Sequence, residues 1–227
     1  MNWNGTVSLL LACVEVILIV NVLVFTKTGK FRNIAVVMIA LLAVYQLLEF
    51  LMCNVELQYP VFPFLAFFNI SFLPPLNLLL VLNLTRNPTL NLSRIGKLIF
   101  LPAIFFIIYY TFIIPQFEVT SCTVLYATYH YPLGDLYGMF YYLPIAVSII
   151  LLFINLKKEK DYKLKVTQKV LLFGGIFISI PVVVGFTLIL WDSYALISAM
   201  ESIMCKFAFV YAVCLAFVCI YNYKKTK

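Results

Sequence analysis

Residues 6–26 read TVSLLLACVEVILIVNVLVFT, an apolar run broken by one charge, Glu15. Roughly 20 apolar residues in a helix cross the hydrocarbon core of a bilayer. Lipid offers no hydrogen-bond partner to a free backbone group, so such a run must be helical. A secretory signal would begin with basic residues and end at a small-x-small cleavage site, and neither is present. The pattern recurs at 34–54, 60–84, 96–115, 134–156, 168–190 and 194–222. The expectation is an all-α integral membrane protein: one domain over 1–227, folded as a seven-helix bundle.

Composition points the same way. Of 227 residues, 64% are hydrophobic and 11% charged. Mean hydropathy is +1.05. A soluble domain is about 45–50% apolar and about 25% charged. A soluble enzyme, a disordered chain, a nucleic-acid module and a disulfide-stapled secreted domain are all disfavoured. There is no internal repeat and no low-complexity linker.

The net charge of +7 is explained by its distribution. The first, third, fifth and last connecting segments hold Lys27, Lys30, Arg32, Arg86, Arg94, Lys97, Lys157, Lys158, Lys160, Lys163, Lys165, Lys169, Lys224, Lys225 and Lys227. The opposite segments hold Glu56, Glu118, Asp135 and Asp192 and no basic residue. The positive-inside rule then sets the N-terminus outside and the C-terminus in the cytoplasm. No nucleic-acid partner is needed. The bilayer is the expected surrounding, and the cell membrane, as a prokaryotic cytoplasmic membrane, the expected location.

Two cysteines fall on the outer side, Cys53 at the end of the second span and Cys122 in the loop 116–133. A disulfide between them would pin the loop, and two free thiols are the alternative. Residues 117–126 of that loop are β-prone, which allows a short hairpin lid. Cys13, Cys205, Cys214 and Cys219 lie within spans and read as packing residues.

Four charged residues lie inside the spans: Glu15, Glu49, Glu201 and Lys206. Each is costly there and is a default functional candidate. Counting at 1.5 Å per residue puts Glu15 roughly 14 Å deep and Lys206 roughly 18 Å deep. In a closed ring the first and last helices are neighbours, so a Glu15–Lys206 ion pair is expected. Glu49 and Glu201 form a shallower set, with Gln46 one turn below Glu49. On the last helix Ser198, Glu201, Ser202, Cys205 and Lys206 share one polar arc. The set reads as an acidic pocket open to the outside, or as two protonated carboxyls hydrogen-bonded in the core. All eight residues are candidates for ligand binding or proton relay.

Pro74, Pro75, Pro144 and Pro181 mark bends and candidate hinges. Tyr109, Tyr110, Tyr137, Tyr141 and Tyr142 could line a cavity or simply pack. Catalytic signals are weak. His130 is the single histidine, which disfavours histidine-rich metal sites and a Ser/His/Asp triad. No glycine loop cradles a phosphate. No metal or cofactor is expected, and an enzyme is the minor reading. Asn4-Gly-Thr6 is a glycosylation sequon, relevant only in a secretory host.

The order of several short stretches resembles a family. Tyr45-Gln-Leu-Leu-Glu49 is followed by Ser71-Phe-Leu-Pro-Pro-Leu-Asn77, then Leu101-Pro-Ala-Ile104, Gly134-Asp-Leu-Tyr137 and Thr167-Gln-Lys-Val-Leu-Leu-Phe-Gly174, with Pro181 beyond. Over about residues 34–210 this resembles the N-terminal seven-helix sensor module of bacterial histidine kinases. It is also similar to small prokaryotic membrane proteins with Gln-x-x-Glu in the second helix and Ser-x-x-Cys near the end, here Gln46, Glu49, Ser202 and Cys205. The resemblance implies a sensor of an extracytoplasmic or intramembrane small ligand. No kinase or cyclase follows the last span, so the output is expected on a separate partner protein. Lys206 departs from both patterns.

Two alternatives stand beside the sensor. One is a proton-coupled transporter or channel using Glu15, Glu49, Glu201 and Lys206, although no inverted repeat is visible. The other is a retinal-type chromophore protein with a Lys206 Schiff base. Trp3 and Trp191 lie at the span ends, so the usual tryptophan-lined pocket is missing.

Overall fold

The computed structural model describes residues 3–84, 92–190 and 200–223. Its helices are α1 (Thr6–Phe25), α2 (Lys30–Cys53), α3 (Val61–Ser71), α4 (Leu73–Leu84), α5 (Leu92–Thr111), α6 (Gly134–Lys158), α7 (Tyr162–Leu190) and α8 (Met200–Tyr223). Six rods are long and apolar enough to cross a membrane: Thr6–Phe25, Lys30–Cys53, Val61–Leu84, Leu136–Lys158, Tyr162–Gly185 and Ser202–Asn222. A seventh apolar stretch, Leu98–Thr111, is shorter. Leu10, Ile17, Leu98, Phe105, Leu143 and Phe153 are among many large apolar side chains on the outer surface. In water this would be one continuous greasy patch. The chain is therefore a multi-pass membrane bundle.

The expected spans need three adjustments. α2 and α7 begin earlier, at Lys30 and Tyr162, and α5 is displaced toward the N-terminus. Residues 194–199 of the last expected span lie outside the described residues. The third span is two helices, broken at Phe72. Pro74 and Pro75 sit in the first turn of α4, where a missing N–H costs little. Pro102, Pro144 and Pro181 do lie inside helices, α5, α6 and α7.

The bundle is not purely helical. Strands β1 (Glu118–Cys122) and β2 (Ala127–His130) pair antiparallel, with Glu118 opposite His130 and Cys122 opposite Ala127. Thr120 is bulged out of register. This is the hairpin expected in the loop. Ala127, Thr128 and Tyr129 are buried against the bundle, while His130 is exposed.

α2 is the central helix and packs on α1, α3, α4 and α8. α4 packs on α6, and α7 lies between α6 and α8. Around α3, α5 and α6 the contacts are mostly aromatic. Phe67 meets Tyr110, Phe117, Tyr131 and Tyr137, with ring centroids 4.5–5.8 Å apart. Edge-to-face rings at such distances are favourable beyond the area they bury. Tyr110 donates to the carbonyl of Pro132 at 2.6 Å, and Ser71 and Tyr137 share a hydroxyl bond of 3.0 Å.

Candidate functional site

The polar residues of α1, α2 and α8 converge near the hairpin end of the bundle. On α1, Ser8, Ala12 and Glu15 lie on one buried face at helical spacing. On α2, Gln46, Glu49 and Cys53 do the same. α8 contributes Ser202, Cys205 and Lys206.

Lys206 is the hub. Its Nζ lies 3.0 Å from Glu49 Oε2. It donates to Ser8 Oγ at 2.8 Å and to Gln46 Oε1 at 2.6 Å. Two hydrogen-bond acceptors and one carboxylate oxygen thus surround the Lys206 amino group. Glu49 Oε1 accepts from Ser8 at 3.2 Å and from Ser202 at 3.0 Å. Gln46 Nε2 donates to the Cys205 carbonyl at 3.2 Å. Glu49 is fully buried and the Lys206 side chain 14% exposed. A buried ion pair leans on the bonds its other atoms make; here Glu49 Oε1 is bonded to two serines, while Oε2 has the Lys206 ammonium alone.

The hairpin closes this site. Cys122 is disulfide-bonded to Cys53, with Cα atoms 5.4 Å apart. The Ala127 N–H donates to Ser202 Oγ at 3.3 Å. The Tyr129 hydroxyl is bonded to that of Tyr45. The N-terminus joins in, with the Gly5 N–H donating to the Thr123 carbonyl at 3.0 Å. Gly5 has φ 73, and a Cβ there would lie 3.2 Å from both Cys53 Cβ and Phe50 Cα. Only glycine serves a left-handed position at so close an approach.

Two expectations are corrected. Lys206 pairs with Glu49, not with Glu15. The α8 side chains lean toward that helix's N-terminus, which carries the ammonium toward the hairpin. Counting Cα depths alone misses that lean. Glu49 also does not line an open acidic pocket, because the hairpin covers it and Lys206 neutralises it. Ser198 lies outside the described residues, as does the Glu201 side chain.

Glu15 is fully buried, and neither carboxyl oxygen has a hydrogen-bond partner among the described residues.

Sequence reasoning missed Ser8, which bridges Glu49 and Lys206. Its signal was the seven-residue spacing to Glu15, two turns along one helix face. It also missed the hydroxyl pair of Tyr45 and Tyr129, and the bond from Tyr211 to Asn77 that joins α8 to α4.

Two clefts adjoin the prolines. The larger lies between α2, α4, α6, α7 and α8, with Met38, Pro74, Tyr141, Ile178, Met204 and Cys205 in its wall. The other is bordered by Pro74, Pro75, Pro102, Pro144, Tyr137 and Tyr141. Among the expected tyrosines, Tyr137 and Tyr141 therefore border clefts, whereas Tyr110 packs in the aromatic cluster. Pro181 lines neither cleft. No group of three or more His, Cys, Asp or Glu able to hold a metal forms among the described residues. Compared with known proteins, the chain matches no family model, no curated protein and no solved structure.

Proposed function

We propose that the chain is a seven-helix membrane sensor or ligand-binding subunit that passes a conformational signal to a separate partner protein. Its N-terminus and hairpin lie outside, and its basic segments face the cytoplasm of a prokaryotic cell. The observation that carries this reading is the larger cleft. It is apolar, lies inside the bundle, and touches both Pro74 of α4 and Cys205, the neighbour of Lys206. A lipophilic small molecule there contacts the polar sector and the proline-bearing sector at once. It would tilt α6 and α7 about Pro144 and Pro181 against α8, which Lys206 ties to α1 and α2. Such a ligand shifts the balance only by its differential affinity for the two arrangements.

The disulfide supports the orientation, since such bonds persist on an oxidising face. Native mass spectrometry of the chain, purified from its own host in mild detergent, tests the reading. A stoichiometric second protein is expected. A lone chain with nothing bound contradicts it. The buried Glu49–Lys206 pair also favours a proton-coupled transporter as a second reading. That reading predicts flux in liposomes that is lost in Glu49→Gln or Lys206→Met, and normal flux in both variants removes it.

A further inference from the structure

Among the described residues, Glu15 is the one buried carboxyl for which the network just described has no use. Its position relative to Lys206 follows from the bonds already given. Ser8 and Ser202 both donate to Glu49 Oε1, so they lie at one level. Glu15 is seven residues beyond Ser8 on α1, and Lys206 is four beyond Ser202 on α8. Both helices run away from the hairpin. Glu15 Cα therefore lies three residues, about 4.5 Å, deeper than Lys206 Cα. Side chains of both helices lean back toward the hairpin. The Glu15 carboxyl is thus carried up toward the level of Lys206 Cα, while the ammonium is carried above it. Lys206 is rooted between two carboxyls and is bonded to the upper one.

We propose that Glu15 is a proton-binding site and the second seat of Lys206, so that Lys206 moves one proton between Glu15 and Glu49. An isolated carboxylate buried among apolar side chains is too costly to persist. With Lys206 on Glu49, Glu15 holds a proton. In the exchange, Lys206 gives a proton to Glu49: an N–H bond breaks and an O–H bond forms. The neutral amine swings inward and takes the Glu15 proton, which breaks that O–H and restores the ammonium. Glu15 is then the carboxylate of the pair, and Glu49 is a carboxylic acid held by Ser8 and Ser202. The net charge is unchanged and one proton has moved toward the hairpin.

The helices packed against α1 present other titratable groups, but these are engaged elsewhere. Tyr45 of α2 is bonded to Tyr129, and Cys205 of α8 lines the apolar cleft. Cys13 of α1 itself is exposed. Ser8 touches both Lys206 and the Glu49 seat. This inference is independent of the ligand and partner proposed above.

Infrared spectroscopy of the chain in nanodiscs at neutral pH tests it. The wild type is expected to show a protonated-carboxyl band that Glu15→Gln removes. Glu49→Gln is expected to remove the same band, because Lys206 moves to Glu15 and one proton leaves to solvent. An E15Q spectrum equal to the wild type in this region overturns the proposal. So does a Glu15 band that survives in E49Q and disappears only in the double variant. E15Q alters a buried group with no hydrogen-bond partner, so that arm is readable on its own. Should E49Q fail to fold, Glu49→Asp draws the carboxylate back by one methylene. A weakened Glu15 band is then expected, and an unchanged band overturns the proposal.

Discussion

Helices α1, α2 and α8 meet through directed polar bonds under a hairpin that a disulfide ties to α2, whereas α3 to α6 meet mainly through rings on proline-interrupted helices. In the first sector Lys206, Glu49, Gln46, Ser8 and Ser202 each have one good geometry. Changing any of them leaves a charge or a polar group stranded in a medium without water. In the second sector Phe67, Tyr110, Phe117, Tyr131 and Tyr137 stack in tilted and edge-to-face contacts that tolerate small rotations. Pro102 and Pro144 each remove a backbone bond from the helices that carry or flank those rings. Polar bonds specify one arrangement; rings on interrupted helices permit several. The larger cleft lies where the two sectors join.

The contrast can be broken most severely in the polar sector. Glu15→Gln with Glu49→Gln leaves the Lys206 ammonium without a carboxylate. Stranding one member of a buried pair costs about 3–5 kcal/mol. The double variant should lose most of its folded yield, and Glu49→Gln alone should lose much less, by thermal unfolding in detergent. Equal losses would mean that Glu15 offers Lys206 no second seat.

Removing the disulfide comes next. Cys53 and Cys122 are 69 residues apart. Replacing both with alanine should cost about 2–4 kcal/mol. It should also open the hairpin, so that a water-soluble carboxyl reagent reaches Glu49. Unchanged stability and no labelling would mean that the hairpin is held by its hydrogen bonds alone.

The seam between sectors is sensitive to size. A Cβ at Gly174 of α7 would lie 2.6 Å from Tyr211 Cδ2. Gly174→Ala must displace the Tyr211 ring and with it the bond to Asn77. Overpacking of this kind costs about 1–3 kcal/mol. Tyr211→Phe, which deletes only the bond, should cost about 1 kcal/mol. Comparing the two by unfolding separates the clash from the bond.

The smallest effect is expected in the basic segment where α7 begins. Lys160→Ala and Lys163→Ala lie outside both sectors on the surface. They should change stability by no more than about 0.5 kcal/mol.

Much of this was legible in the sequence, for physical reasons. Apolar runs of helical length report spans directly, because lipid leaves the backbone no other choice. Cys53 and Cys122 were identifiable as candidate partners because they are the two cysteines on the outer side. The hairpin showed in its β-prone residues. Helical spacing put Gln46 and Glu49 on one face of α2, and Ser202, Cys205 and Lys206 on one arc of α8.

What failed required three-dimensional information. The lean of Lys206 toward the hairpin decides between Glu49 and Glu15, and residue counting does not contain it. Tyr45 meets Tyr129 because the hairpin folds back over α2, which no local pattern encodes. Ser8 reads as a small filler among leucines until its neighbours are known. The break at Phe72 looks the same as a kink in a proline pair read from sequence.

If α6 moves against a fixed sector of α1, α2 and α8, the two should differ in their spread of distances. Spin-labelled amino acids at Val37 of α2, Phe217 of α8 and Phe153 of α6, all on the outer surface, allow both distances to be measured in nanodiscs by electron–electron resonance. The expected result is one narrow distribution for Val37–Phe217 and a broad or double one for Val37–Phe153. Two equally narrow distributions would contradict a sensor that signals by moving its proline-bearing helices.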